Sequence, residues 1–459
     1  MIIQPERITS YSLSRTSHGD DIRRVIVAAI NGIDAGEAIK SLVTQNSNKL
    51  IIGKLVYDLT CFKRIFIIAA GKASIPMAGA ICEILHGQIT SGLVITKEGY
   101  GDSEVYRFDS KVKIIEANHP VPDQRNLVAG EKVITFSREI TSDDLVICLL
   151  SGGGSAVLTK PLKGILLQDI QLTTDILLRC GASITEINTV RKHIDSFKGG
   201  GLIKFLNQAT VITLTLSDVI GDDLGVVASG PTVADSTTFD DVWAIFNRYQ
   251  LIDQIPANIL STISAGIQCE IQDTLKPGDP IFNKNINMVI GNNSHAISSA
   301  FNASQICGFD TRILPYPLQG EASRMGEVLA VEAKSLLSQS SSRSKPICWI
   351  AGGETTVTVK GTGKGGRNLE LALGTVKGLA GLEQIILISL ATDGGDGPTD
   401  AAGAVTTNET YSRGIEMELD PDDYLMRNDS YHYFKSLGDL ITTGPTMTNV
   451  NDLIFIFNL

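Results

Sequence analysis

Short apolar runs closed by Gly, Pro or Ser recur through the first half of the chain. Residues 64–70, 92–96, 112–116, 145–150 and 211–216 each read as a buried strand: they are rich in Ile, Val and Leu, too short for a helix, and end at turn residues. Over 20–46 and 240–248, and between several of the strands, apolar positions recur at helical spacing. Strands apolar on both faces, alternating with helices, predict an α/β fold with a parallel sheet covered by helices. The pattern resumes with a strand at 287–290, a helix at 294–307, a strand at 311–315 and a long helix at 323–338. Strands at 347–352, 355–360 and 385–391 follow, with a helix over 368–379. The Ser-rich tract 338–344 predicts an exposed loop, and 453–457 reads as an edge strand or an apolar tail packed on either domain. The turn-rich stretch Lys276-Pro277-Gly278-Asp279-Pro280 suits a boundary, so the expected domains are 1–275 and 276–459.

Length and charge narrow the function classes. A chain of 459 residues is too long for one ordinary core, and 43% hydrophobic with 19% charged residues is a globular balance. A net charge of −11, with no local Lys/Arg cluster, gives no field to hold a nucleic-acid backbone, so no nucleic-acid partner is expected. The seven cysteines are scattered and form no Cys-x-x-Cys pair, which reads as reduced core residues of a cytosolic protein, without disulfide framework or zinc site. No apolar run reaches membrane-spanning length and no secretory leader is visible, so a cytoplasmic protein without membrane partner is expected. An acidic protein that binds an anion must place its few cations deliberately, which makes Lys and Arg beside glycines informative.

The sharpest such place follows the strand 145–150. Ser151-Gly152-Gly153-Gly154-Ser155 leads from a buried strand toward a helix, where glycine lets backbone N–H groups approach an anion closely. A tight turn without ligand is the alternative. Gly361-Thr362-Gly363-Lys364-Gly365-Gly366 carries the Gly-x-Gly-x-x-Gly spacing of a dinucleotide loop, yet Arg367 follows it, and a guanidinium fork suits phosphoryl oxygens better than a nicotinamide. A structural ion pair is the plainer reading of Arg367. Lys72 emerges directly after the strand 64–70, where it can face a phosphate or a carboxylate. Two Asp-rich turns follow strands, one with Asp218, Asp222 and Asp223, the other with Asp393, Asp396 and Asp400; such turns either hold Mg²⁺ through one or two oxygens or are merely solvated. Arg191, Lys192 and His193, with Lys198 and its three glycines, form a basic element able to grip an anion or simply a basic surface helix. Asn118 and His119, between prolines, offer a ligand group or a structural turn.

Taken in order, GKAS, ANHPVPD, LLSGGGSA, INTVRKHIDSFKGGGL, TLSDVIGDDLGVVASGPT, AGGETTVTVKG, GKGGRNLELAL and ATDGGDGPTDAAGA resemble the class II glycerate 2-kinase family, whose C-terminal part is called the MOFRL domain. The resemblance implies a larger Rossmann-like N-terminal domain with a three-layer parallel sheet, a smaller α/β C-terminal domain, and an active site in the cleft between them. It implies ATP and Mg²⁺ as cofactors, a small hydroxy acid as substrate, and transfer of phosphate to the 2-hydroxyl of D-glycerate. The family's functional Lys and Arg fall on Lys72 and Arg367. Ser151, Gly152, Gly153, Gly154, Ser155, Gly365 and Gly366 are then expected at nucleotide or phosphate. Asn118, His119, Arg191 and Lys198 are expected at substrate, and Asp218, Asp393 and Asp396 at the metal. Relatives accept 2-keto-3-deoxygluconate, and some are labelled hydroxypyruvate reductase, so a sugar-acid kinase and an NAD(P)-dependent reductase stand as alternatives. Monomer and homodimer are both open.

Overall fold

The computed structural model describes residues 3–101, 108, 110–338 and 345–459. The chain divides into two compact units, Ala35–Ile290 on one hand and Met1–Asp34 with Gly291–Leu459 on the other. This differs from the expected division at 275/276 at both ends. The helix Gly19–Asn31 packs against the helix Asn293–Ile306, burying Ile22, Val25, Ile26 and Ala29, so the N-terminal segment completes the second unit. The turn at 276–280 is internal, because the strand Asn285–Gly291 after it still joins the first unit's sheet.

In the unit Ala35–Ile290 six strands lie in the order Val112–Ala117, Ile89–Lys97, Ile65–Ala70, Leu145–Ser151, Thr210–Leu216, Asn285–Gly291. The pairings among the first five are all parallel. Ile65–Ala70 and Leu145–Ser151 are buried at every position, as the unbroken apolar runs require. Phe66, Ile68, Val146, Cys148, Leu202 and Val211 pack in one core on this sheet. Fully burying a large apolar side chain contributes about 1.5–3 kcal/mol, so the two central strands are the anchor of the unit. Chain order runs outward one way from Ile65–Ala70 and the other way from Leu145–Ser151. The topological switch point, where ligands of such sheets bind, therefore lies between these two strands. A second core, with Val190, Val242, Phe246, Ile259 and Ile263, joins the helices Ile184–Ile194, Phe239–Arg248 and Ala257–Ile267.

The expected helix over 20–46 is in fact two helices, Gly19–Asn31 and Ala35–Leu42, followed by a small antiparallel sheet of Val43–Asn46, Lys49–Ile52 and Leu55–Asp58.

The other unit is built on a mixed sheet in the order Asp310–Ile313, Ile347–Thr356, Asp452–Asn458, Ile385–Ala391, Gly403–Thr407, Leu440–Ile441, with Leu318–Glu321 also on Ile347–Thr356. The expected edge strand or tail at 453–457 is instead central, antiparallel to both Ile347–Thr356 and Ile385–Ala391, and Leu453 to Phe457 are all buried. The separate strand expected at 355–360 does not form. Gly353 is paired on one side with Leu318 and on the other with Asp452, so the strand runs unbroken through the glycines to Thr356. Of the Ser-rich tract, 339–344 lie outside the described residues. No helix among the described residues is long and apolar enough to cross a membrane.

Candidate active site

At the switch point the chain after Ile65–Ala70 meets the chain after Leu145–Ser151. Gly71 has φ +124°, and a Cβ there would lie 2.3 Å from Ser151 Oγ, so only glycine allows this approach. Lys72 N–H then donates to Gly152 O at 2.9 Å and Ala73 N–H to Ser151 Oγ at 3.0 Å. Gly153 is left-handed, φ +81°, and a Cβ on it would lie 3.1 Å from the His119 ring and 3.3 Å from Lys72 Cγ. Lys72 and His119 thus flank the glycine loop, as three separate sequence signals converge. Asn118, by contrast, closes its own turn: its Nδ2 donates to Val121 O at 2.9 Å, and its backbone is bracketed by Asn126.

Beyond the loop, the Ser155 and Ser229 hydroxyls are in contact, and Ser229 Oγ donates to Asn188 Oδ1 at 3.1 Å. Ala228, Ser229 and Gly230 are all left-handed, at φ 52°, 60° and 61°. Two non-glycine residues in that region carry backbone strain of about 1–3 kcal/mol each, of the kind that collects at functional sites. The strain is held by the glycine run after Lys198, since Gly199 N–H donates to Ser229 O at 3.0 Å and Gly200 N–H to Gly230 O at 2.7 Å. Those glycines therefore shape the Ser229 turn, and do not form the anion grip that their spacing suggests.

Asn188 and Arg191 belong to the helix Ile184–Ile194, which starts with a capping box between Ser183 and Glu186 and buries Ile187, Val190 and Ile194. Asn188 and Arg191, one turn apart, share a neighbouring face. Three of the basic groups in this region have carboxylates of their own: Lys192 with Asp235 at 3.2 Å, His193 with Asp273 at 3.0 Å, and Lys198 with Asp195 at 2.8 Å. Lys198 is buried and also donates to Leu158 O, so it is a core ion pair and not an open substrate contact. His193 is buried with both ring nitrogens engaged, the other at Thr189 O, so it is a structural group and not part of an open anion grip. Arg191 has no hydrogen bond or ion pair among the described residues, and burial lowers its pKa. The helix C-terminus it occupies offsets about 2 kcal/mol of that cost at most.

One pH prediction follows from His193. Burial would raise the Asp273 pKa, but hydrogen bonds from His193 and Lys276 outweigh it and hold the group at about 2. A depressed carboxylate contributes stability that is present above about pH 4 and is lost as pH falls toward 2. Asp273→Asn is therefore expected to cost about 1 kcal/mol at pH 7, discounted for its partial exposure, and nothing near pH 2. Denaturant titrations at both pH values measure this, and an equal cost at the two would refute the assignment.

In the other unit Arg367 opens the helix Arg367–Leu379. Its Nε and one terminal nitrogen donate to the two Asp452 oxygens, at 2.6 and 3.1 Å, and the other donates to Glu354 Oε1 at 2.5 Å. Burial opposes the charge on Arg367, but Asp452 and Glu354 outweigh it and raise its pKa. Asp396 lies 2% exposed, accepting from Asn368 N–H at 3.1 Å and Leu369 N–H at 2.8 Å. Both its oxygens thus cap the helix that carries Arg367, which argues against the metal role expected for it; burial pushes its pKa up to about 7. Gly366 is the N-cap, and a Cβ there would lie 2.4 Å from Asp396 Cγ. Asp393 is half-buried after Ile385–Ala391, with Oδ1 accepting from Gly395 N–H at 3.2 Å. Asp218 is half-buried after Thr210–Leu216 in the first unit.

The Gly-x-Gly-x-x-Gly segment does not form a dinucleotide turn. Ten residues separate Thr356 from Arg367, and their amides are engaged internally: Lys360 and Gly361 N–H on Asn428 Oδ1, Gly363 N–H on Arg427 O, Lys364 N–H on Asp429 Oδ1. Asn428 also donates to Glu370. Gly365 and Gly366 serve close packing on Ser430 and Asp396. Sequence reasoning missed Glu354, Asp452, Asn428 and Ser229. Asp452 differs from Asp218 and Asp393 in that it opens a strand, Asp452–Asn458, instead of following one.

Comparison with known proteins identifies the family. Residues 21–264 match the family described as domain of unknown function DUF4147, and residues 347–452 match the MOFRL family. A glycerate 2-kinase of Pyrococcus horikoshii is 38% identical over 94% of this chain and 95% of its own. A D-glycerate 2-kinase of Thermotoga maritima is 39% identical over 91% and 95%. The crystal structure of a glycerate kinase from Thermotoga maritima superposes with a TM-score of 0.78 at 37% identity, covering 95% of this chain and 98% of that one. The chain belongs to the glycerate 2-kinase family that joins a DUF4147 domain to a MOFRL domain.

Proposed function

We propose that this protein transfers the terminal phosphoryl group of ATP to the 2-hydroxyl of D-glycerate, giving 2-phosphoglycerate and ADP. Beyond the kinship with glycerate kinases, the observation that carries the reading is the convergence of Lys72, His119 and the glycine loop 152–154 on the sheet's switch point. In the transfer the acceptor oxygen forms its bond to phosphorus as the bond to the ADP oxygen breaks, and the hydroxyl proton leaves to a base. Such chemistry asks for positioning and charge stabilisation above all. The backbone amides of the glycine loop 152–154 fit an anionic group, with Lys72 beside them to offset charge during transfer; the same charge-offsetting role is proposed for Arg367 from its own unit.

Mg²⁺ fits this residue set only loosely. No group of three or more His, Cys, Asp or Glu among the described residues could cage a metal. Asp218 in the unit Ala35–Ile290 and Asp393 in the other unit, each half-buried after a strand, are each a residue that would hold it, which suits a cation normally kept by one or two carboxylates plus phosphate. When bound, it would neutralise phosphate charge.

The engaged amides of Lys360, Gly361, Gly363 and Lys364 weigh against a nicotinamide-dependent reductase. The test is to incubate the protein with Mg-ATP and D-glycerate, follow ADP release, and identify the product by phosphorus NMR. 2-Phosphoglycerate is expected. Absence of ADP release with D-glycerate overturns the proposal, and NADH oxidation with hydroxypyruvate would replace it. 2-Keto-3-deoxygluconate in the same assay measures tolerance for a longer acid.

A further inference from the structure

We infer that Arg191 is the carboxylate anchor of the acceptor site, so that the enzyme selects short hydroxy acids over neutral polyols through this one guanidinium. The inference deepens the kinase reading and rests on it. Three observations converge. First, among the basic groups Arg191, Lys192, His193 and Lys198, the last three each have a carboxylate partner, whereas Arg191 has none among the described residues. A half-buried charge without a partner is costly, and the protein keeps it where an anionic ligand completes it.

Second, Arg191 is linked to the glycine loop through its own helix. Asn188, one turn earlier on the same face, accepts from Ser229 Oγ at 3.1 Å, and Ser229 touches Ser155 at the end of the loop. The chain Arg191, Asn188, Ser229, Ser155 thus runs along one side of the loop, while Lys72 and His119 flank Gly153. All lie within one compact unit. A cation at each end of this arc suits an acceptor with a carboxylate at one end and a hydroxyl near the transferring phosphoryl group at the other.

Third, the residue type matches. A planar guanidinium holds both oxygens of a carboxylate at once, which a lysine cannot do. Asn188 adds an amide whose NH₂ has no acceptor among the described residues, placed one turn from the guanidinium and able to donate to the acceptor's hydroxyl.

The experiment compares wild type, Arg191→Lys and Arg191→Ala in steady-state kinetics with Mg-ATP and either D-glycerate or glycerol. In wild type, D-glycerate is expected to be strongly preferred. Arg191→Ala should raise KM for D-glycerate roughly 100-fold, leave KM for ATP within about threefold, and cut the preference for D-glycerate over glycerol by a similar 100-fold. Arg191→Lys should fall between, and added guanidinium should partly restore Arg191→Ala. Thermal unfolding with and without D-glycerate gives a second readout: the shift seen with wild type should vanish in Arg191→Ala. An unchanged KM for D-glycerate in a folded variant overturns the inference, as does a rise confined to KM for ATP, which would place Arg191 at the nucleotide. A wild-type protein that releases no ADP with D-glycerate sinks the kinase reading instead; loss of the D-glycerate thermal shift in Arg191→Ala would still support the anchor, and its persistence would overturn it.

Discussion

Lys72→Ala is expected to lower kcat for D-glycerate phosphorylation by roughly three orders of magnitude while leaving the fold intact, the size seen when a charge-stabilising group of phosphoryl transfer is removed. The local structure supports the separation of the two effects. Lys72 holds its place through its backbone, by the N–H bond to Gly152 O, which alanine keeps. The tight fit of Gly71 against Ser151, and the buried helix Ser74–Ile84 that follows, are also untouched. What disappears is the charged side chain whose Cγ lies beside Gly153. Lys72→Met, which keeps the stem over Gly153 and loses only the charge, should match the alanine variant in turnover. Stopped-flow or coupled ADP assays measure kcat, and thermal unfolding measures the fold. Turnover within tenfold of wild type in both variants would remove Lys72 from the reaction.

The legible part of this protein was the part governed by local chemistry. The strands Ile65–Ala70 and Leu145–Ser151 could be read because burial on both faces demands unbroken apolar runs, and the glycine loop because such turns need residues without a Cβ. Lys72 and the loop were visible separately, but their meeting depends on strand order, which no local pattern encodes. The same limit explains the terminal strand. Its seven residues look like a tail because its partners, Ile347–Thr356 and Ile385–Ala391, lie far back in the chain. Pairing also hid the roles of charged groups and glycines, three residues away for Lys198 and far along the chain for the segment 361–366. Lys198 looks like an anion grip until Asp195 is seen beside it, and the glycines at 361–366 look like a dinucleotide loop until Asn428 and Asp429 are seen to occupy its amides. The N-terminal helix belongs to the unit remote from it in sequence for a similar reason: a contiguous reading cannot show that Gly19–Asn31 packs on a helix that begins at residue 293.

Arg367→Ala is expected to remove turnover and stability together, and the two losses can be separated through Asp452. In the native unit the guanidinium spans both Asp452 oxygens and reaches Glu354. Deleting it leaves Asp452, whose side chain is only 5% exposed, without its cation, whereas Glu354, 43% exposed, recovers water readily. An orphaned buried charge costs about 3 kcal/mol, so the unfolding transition should fall by roughly 5–10 °C. Asp452→Asn placed on top of Arg367→Ala neutralises the orphan and should restore more than half of that stability. If Arg367 also offsets charge on the transferring phosphoryl group, kcat stays at least about 1,000-fold down in the double variant, because the stability repair supplies no cation. Arg367→Lys keeps a charge but not the fork, so it should regain much of the stability and little of the turnover. If kcat instead recovered in step with the unfolding temperature across the three variants, Arg367 would be a structural brace for Asp452 and the site's cation would have to be sought elsewhere.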